Sequence, residues 1–437
     1  MLEQQTMPFD TPPAAPRRIA VIGAGISGMG AAHQLASTDR VTLFEAERRL
    51  GGHARTVVAG KRGDQPVDTG FIVFNRVNYP HLVALFERLG VEAVESNMSF
   101  AASIDGGRLE YGLASVGTIF AQRRNLANPW FLGMVRDILR FNARAAATTR
   151  DRSETIAGLI ERLRLGAWFR DYYLLPLSGA IWSTPTRQVL DFPAEAMVRF
   201  LENHALLNYS DKHQWFTVKG GSVAYVARLE AAMRAQGVDV RLNAPVEAVR
   251  RVPGGVEVRA RGGAWEAFDE VVFASHTDQA LAMLSDASTA ERELLGAIRY
   301  QPNHAVLHAD ESQMPRRRQV WSSWNYAEQA GRRGDQIDLT YWMNRLQPIP
   351  LDDPMFVTLN ATRPIREELI YDEVTFAHPI YDLAALKAQD GIRALNGHRN
   401  TWFCGAWIRN GFHEDGLASG IDVARALAQA RGARAAA

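Results

Sequence analysis

Gly23 and Gly25 stand between the apolar run IAVI and the stretch ISGMGAAHQLAS, whose third residue is Gly28, and this placement narrows the possible folds more than any other feature of the chain. Glycine is required there for a tight turn, for close backbone approach to a pyrophosphate, and for packing of a helix against its strand. The helix start offers unpaired amide donors and the positive end of the helix dipole to phosphate oxygens. A second apolar run, VTLFE, ends on Glu45. A carboxylate about 20 residues after the glycines accepts hydrogen bonds from both ribose hydroxyls and disfavours a 2′-phosphate. The pattern GxGxxG is weak alone, but strand, turn, helix, second strand and acid agree here, which identifies a dinucleotide-binding βαβ unit.

With 437 residues the chain is too long for one ordinary core, so two domains are expected. Basic and acidic residues nearly balance at 49 and 48, which gives no reason to expect nucleic acid as a partner. Cys404 is the only cysteine, so an intrachain disulfide or a multi-cysteine metal site is ruled out, no metal is expected, and a reducing cytoplasmic compartment is the simpler reading. Residues 1–16 contain acids and prolines without an apolar core and read as a loose leader, not a signal peptide. No uninterrupted apolar run approaches the roughly 20 residues that span a bilayer.

After the βαβ unit come loop and short strands, then an amphipathic helix at 80–89. Long helical stretches follow between about 97 and 208, among them PWFLGMVRDILRFNARAAATTR and SETIAGLIERLRLGAWFRDYYLLPL. Beyond Lys219 the α/β pattern returns with a helix, β-rich runs joined by a PGG turn, and the buried strand DEVVFAS. Alternating runs such as HAVLHAD, QVWSSWNYA and PMFVTLN predict an antiparallel sheet between about 276 and 393, and the chain closes with NTWFCGAW, a polar loop and a helix from LASG onward.

Three separated motifs, EAERRLGGHARTV with VDTGF, FCGAW, and GFHEDGLASG, occur in the order found in the FAD-dependent amine oxidase, phytoene desaturase and protoporphyrinogen oxidase superfamily, which this chain resembles over roughly half its length. The resemblance implies an α/β fold in which a Rossmann-type FAD-binding domain (17–75, 215–275 and 395–430) is interleaved with an α+β substrate domain (76–214 and 276–394) holding an antiparallel sheet and a helical insertion. It implies FAD as cofactor, with Gly23, Gly25, Ile26, Ser27 and Gly28 at the pyrophosphate and Glu45 with Ala46 at the adenosine ribose. Gly51, Gly52, His53 and Gly70 would approach the phosphates and flavin, and Val246 would meet adenine through its backbone. Gly405, Ala406, Gly416 and Leu417 would face the flavin ring. His53 stands where the family commonly has arginine, leaving Arg49 or Arg55 as phosphate partners, and Ala406 beside Trp407 stands where it favours an acid.

A flavin accepts hydride, so such a protein chiefly holds a carbon–hydrogen bond against the ring in a dry pocket. His413 and Glu414 are the candidates for catalytic proton handling, against a role in capping the last helix. Trp321, Trp324, Tyr326, Tyr341 and Trp342 could line an apolar tunnel, although sheet packing accounts for most of them. Trp407 or Phe412 offers only one of the two aromatic walls common around an amine substrate. The helix at 129–144 carries Trp130, Phe131, Ile138, Leu139 and Phe141 with Arg136, Arg140 and Arg144, a pattern that suits peripheral contact with an anionic bilayer, on the inner membrane face, but is also that of a helix packed on its own domain. HPIYDLAALKAQDGI followed by the HEDG motif resembles a bacterial branch that includes desaturases of methyl-branched unsaturated fatty acyl chains in furan fatty acid formation. The expected substrate is therefore a fatty acyl or phospholipid chain, dehydrogenated beside a double bond to a conjugated diene. An amine oxidase and a flavin-dependent double-bond isomerase of fatty acids or carotenoids are the alternatives.

Overall fold

The computed structural model describes residues 15–148, 154–182, 189–203, 206–207, 213–329 and 337–436; the expected leader lies outside them except for Ala15 and Pro16. Strand β1 (Arg18–Ile22) is buried after its first residue because it occupies the centre of a five-stranded sheet covered on both faces. The sheet order is 239–241, β2 (Arg40–Phe44), β1, 270–273 and 401–403, and every pairing is parallel, with Ile19 opposite both Val41 and Glu270. Three distant stretches of chain thus build one sheet. Helix α1 (Ile26–Leu35) runs back across it and packs against the C-terminal helix His413–Ala436, so closely that a Cβ on Gly420 would lie 2.3 Å from the Ser27 carbonyl oxygen.

Helix α2 (Pro80–Leu89) forms where the periodicity predicts it. Its apolar face, Leu82, Leu85 and Phe86, enters the same core as α1 and the helix Val223–Ala235. The strand Ala93–Ser96 also pairs with Trp215–Val218, beside Val73–Asn75. Helix α2 and the strand Ala93–Ser96, which follow the expected segment 17–75, thus pack with the nucleotide-binding core and its neighbouring strands.

The second large sheet has seven strands in the order 370–379, 300–308, 356–359, 338–342, 324–327, 100–104 and 109–112. The strands between 276 and 393 pair antiparallel throughout, as expected, and the sheet as a whole is mixed only because Trp324–Ala327 runs parallel to Phe100–Ile104. Helices α3 (Val116–Ile119) and α4 (Pro129–Thr148) lie beyond its edge. Phe131, Met134, Phe141 and Ala145 supply the buried stripe of α4 at the helical spacing. The long helix expected after Ser153 is broken, with Arg164 in the left-handed region at φ 51° and a wide turn over Arg170–Leu174. Among the described residues no helix is long and apolar enough to cross a membrane.

Candidate active site

One cavity of about 1590 Å³ extends from the glycine turn to α3 and α4. At its nucleotide end Gly23 adopts φ +100°, a conformation that side-chain-bearing residues rarely take, and a Cβ on Gly28 would sit 1.8 Å from the Gly23 carbonyl oxygen. Gly28 is thus the packing glycine of the motif and does not line the cavity, whereas Gly23, Gly25, Ile26 and Ser27 do. The Gly25 Cα faces open space. Glu45 closes β2 with one carboxylate oxygen 2.7 Å from the Ala24 amide and the other 2.9 Å from the Glu47 amide. The acid thereby ties the end of β2 to the glycine turn.

Ala46, Arg49, Gly51, Gly52, His53, Gly70, Val246, Gly405 and Ala406 also border the cavity. Arg49 donates to the carbonyls of Gly52 and Ala54, at 2.9 and 3.2 Å, and so holds the double-glycine loop in shape. Arg55 points elsewhere: its guanidinium pairs with Asp372 at 2.6 and 3.0 Å, bracing the loop against the second sheet. Val246 follows a segment stitched to β2, in which Ala244 donates to the Glu45 carbonyl at 2.8 Å.

The final motif folds differently from the expectation. The helix begins at His413, and the Asp415 carboxylate accepts from the amides of Phe412 and Asn410 at 3.0 and 3.2 Å. The Gly416 amide is consequently spent on the Phe412 carbonyl, and neither Gly416 nor Leu417 borders the cavity. Leu417 packs on Gly30 instead. Glu414 also lies off the cavity: it accepts from the amides of His81 and Leu82, both at 2.9 Å, and meets His81 Nδ1 at 2.7 Å. An acid at the start of α2 satisfies its free amides and dipole, so Glu414 is a helix cap that joins two elements, not a proton carrier at the cavity.

His413 does face the cavity, stacked on Phe71 at 3.9 Å with Nε2 2.6 Å from the Tyr225 hydroxyl. Three further imidazoles gather with it. His53 lies 6.0 Å from His276 and 5.5 Å from His378, ring centre to ring centre, and His276 stacks on Tyr300 at 4.2 Å. Burial pushes His413 down to about 3 and His378 down to about 4, the latter with the neighbouring His276 acting in the same direction. His53 is held well below the ordinary imidazole value by burial first and by its three histidine neighbours next, and burial lowers His276 as well. All four are therefore neutral at pH 7. His276 and His378 escaped the sequence reading because they sit 102 positions apart in unremarkable runs and meet only when the second sheet closes over the nucleotide domain.

Two buried polar atoms at this end, His53 Nε2 and the Tyr381 hydroxyl, have no partner among the described residues. Together with the glycine cradle and Glu45, the unsatisfied Tyr381 hydroxyl fits a bound dinucleotide whose ring system reaches the histidines. Farther along, the cavity wall turns apolar, with Phe120, Met134, Ile138, Leu177 and Trp182, and its acidic members, Glu45 and Glu47, are confined to the adenosine end among the described residues. Of the expected aromatic wall residues, Trp321, Trp324 and Tyr341 reach the cavity; Tyr326 and Trp342 do not. Trp407 borders it while donating to the Ser275 carbonyl at 3.1 Å, and Phe412 borders it stacked on Phe200 at 4.7 Å.

A parallel nucleotide sheet interleaved with a mixed substrate sheet, with a glycine cradle opening into an apolar cavity, defines a flavoprotein of the FAD-binding Rossmann class. The model of the family described as flavin containing amine oxidoreductase matches residues 26–309, and the chain belongs to that family, with FAD as cofactor. Among curated relatives, the nicotine dehydrogenase of Pseudomonas putida (strain DSM 28022 / S16) is 22% identical over 247 residues, 55% of this chain and 49% of that protein. The chain spans about half the length or less of the curated relatives it matches. Solved structures share the fold: a CLA-producing fatty acid isomerase from P. acnes at TM-score 0.67 and 14% identity, covering 94% of this chain and 98% of that one, and the cyclohexylamine oxidase of Brevibacterium oxydans IH-35A at TM-score 0.67 and 16% identity, covering 95% and 100%.

Proposed function

We propose that this protein is an FAD-dependent oxidoreductase that dehydrogenates an unsaturated, methyl-branched fatty acyl chain to a conjugated diene. The observation that carries this reading is the cavity's substrate half: a long apolar wall without a carboxylate among its described residues, closed at the cofactor end by neutral imidazoles. A cationic amine would enter such a site with no carboxylate to offset its desolvation, whereas an acyl chain is matched by dispersion and burial at roughly 25 cal/mol per Å².

Gly23, Gly25, Gly51 and Glu45 would hold FAD, which supplies a hydride acceptor when bound. The chain's own residues then have three tasks. The apolar wall aligns the allylic carbon and keeps water out. Asn360 donates to Asn303 Oδ1 at 2.7 Å, and Asn303 Nδ2 meets His378 Nδ1 at 2.8 Å, which fixes His378 with its proton on Nε2. His53 is held through a backbone hydrogen bond with Ala377, which leaves Nε2 with a free lone pair, and that nitrogen accepts the proton lost from the substrate. Each turnover removes one hydride and one proton, so the product is lighter by two hydrogens.

The fold shared with a fatty acid isomerase supports a second reading, the same acyl site moving a double bond without net redox change. Incubating the FAD-loaded protein with an unsaturated methyl-branched acyl lipid and weighing the product separates the two. Loss of two hydrogens supports dehydrogenation, and an unchanged mass with a displaced double bond supports isomerisation. An unaltered lipid together with hydrogen peroxide release from amines refutes both.

A further inference from the structure

The apolar end of the cavity opens on a surface with an unusual make-up. Five large apolar side chains are exposed between residues 116 and 139: Val116, Leu126, Trp130, Leu132 and Leu139, with Trp130 67% accessible. Val116 and Leu139 also line the cavity, so its wall reaches this patch. On α4 Leu132, Arg136 and Leu139 form a stripe at spacings of four and three on the side opposite the buried Phe131, Met134 and Phe141, while Trp130 stands off that stripe in the first turn of the helix.

Arginines edge the same surface. Arg108, Arg124, Arg316 and Arg317, with one acid, Asp105, surround a depression beside α3, where the turn Arg318–Val320 packs against α3 and the strand Leu109–Gly112. Arg108 pairs with Asp105 at 3.4 Å and Arg317 with the buried Glu110 at 2.9 Å, whereas Arg123, Arg124 and Arg316 have no carboxylate partner among the described residues. Between residues 105 and 144 there are six arginines, no lysine and three acids.

We propose that this face docks on an anionic phospholipid bilayer, with Trp130 and its apolar neighbours inserted at the headgroup boundary and the arginine rim on the lipid phosphates. The expected helix contact at 129–144 is thereby redrawn: Phe131 and Phe141 are core, and the partner surface joins α3, the exposed stripe of α4 and the 316–318 arginines. Charge complementarity selects this occupant, because an apolar patch ringed by cations matches an acidic lipid surface and repels a second copy of itself through the same rim. The mouth would then open directly onto acyl chains, which deepens the acyl reading above and rests on it for its purpose.

Vesicle binding tests the surface without turnover, so it fails or succeeds separately from the product-mass experiment. FAD-loaded full-length protein is sedimented with vesicles of phosphatidylcholine alone or mixed with phosphatidylglycerol. Binding is expected only to the mixed vesicles, weakened at least tenfold by Arg124→Glu with Arg316→Glu and likewise by Leu126→Glu with Trp130→Glu. About fivefold per charge follows from roughly 1 kcal/mol for each arginine near an acidic surface. Flavin absorbance and melting temperature check that each variant is folded, and Trp130→Ser replaces the glutamate variant if it is not. No binding to mixed vesicles, equal binding to phosphatidylcholine, or binding indifferent to Trp130 overturns the proposal. So does a dimer in vesicle-free solution that Trp130→Glu splits, which would make the face a contact between copies.

Discussion

Replacing Glu45 by Gln tests the cofactor assignment at its most specific atom. The carboxylate accepts two backbone amides, at 2.7 Å from Ala24 and 2.9 Å from Glu47, so each oxygen spends one lone pair on the fold and keeps another for the ribose. An amide side chain retains one acceptor and turns an NH2 group on the other backbone amide, donor against donor. Hydrogen bonds to a charged group contribute about 1.5–3 kcal/mol, which corresponds to FAD affinity weaker by about 10- to 150-fold at 1.4 kcal/mol per decade. Titrating apo-protein with FAD and following the quenching of flavin fluorescence gives the affinity. Urea unfolding of the apo-protein isolates the share belonging to the Ala24 contact. A loss of affinity below about threefold, with apo-protein stability unchanged, would refute the role of Glu45 in both the turn and the ribose site.

Gly28→Ala places a methyl group 1.8 Å from the Gly23 carbonyl oxygen; the turn must open, and a stability loss of about 3 kcal/mol or more with loss of bound FAD is expected in denaturant titration and flavin absorbance. His53→Phe keeps the stacking on Phe376, 4.9 Å away, and removes the free nitrogen; kcat for the acyl substrate should fall by about 10²–10⁴-fold with FAD retained, and an unchanged kcat would assign the proton to another group. The pH dependence of stability has two opposed parts. His378 and His413, at about 4 and 3 when folded, contribute stability that is complete above the ordinary imidazole value of 6.5 and is lost as pH falls below it. At pH 5 this amounts to about 2 kcal/mol for each. Asp68 and Asp415, raised by burial to about 6, act oppositely: their contribution is complete below 3.8 and is lost as pH rises through 6. With His53 and His276 also lowered, the histidines prevail, so the melting temperature should be lower at pH 5 than at pH 7; an equal or higher value at pH 5 would refute the neutral imidazoles.

The nucleotide half was legible because its rules are local. A strand buried on both faces reads as a continuous apolar run, a turn with φ +100° calls for glycine at position 23, and an acid at the end of β2 stands at a fixed distance from that turn. The sequence could not reveal the fate of HEDG in the same way. An acid in a first helical turn serves its own helix, a neighbouring helix or a ligand with equal ease, and only the approach of α2 sends Glu414 to His81 and Leu82 while Asp415 turns back to Phe412. The placement of α2 was illegible for a related reason: an amphipathic helix announces that it has an apolar face and not which core will receive it. Parallel pairing of 324–327 with 100–104 joins residues more than 200 positions apart, beyond the reach of any alternation pattern.

The two ends of the cavity hold their ligands by different physics, and this bears on specificity. At the nucleotide end, fixed amides and a carboxylate recognise one chemical group at one position, and a single misplaced donor is expensive there. Along the apolar wall no carboxylate among the described residues fixes the substrate, so selection rests on shape, on exclusion of water and on where the chain stops. A missing methylene in such a wall discriminates by only about 1–3 kcal/mol, which favours acceptance of a range of related acyl chains. Position along the chain must then be set by what anchors its polar end. A headgroup kept at a bilayer surface beside Arg124 and Arg316 would place carbons at a constant depth from the mouth, so the bond that reaches the histidine cluster would be counted from the membrane and not from the methyl end. Enlarging the mouth with Leu139→Ala should therefore leave the position of the new double bond unchanged while accelerating entry. A shift of that position would show that the inner wall, not the surface, sets the register.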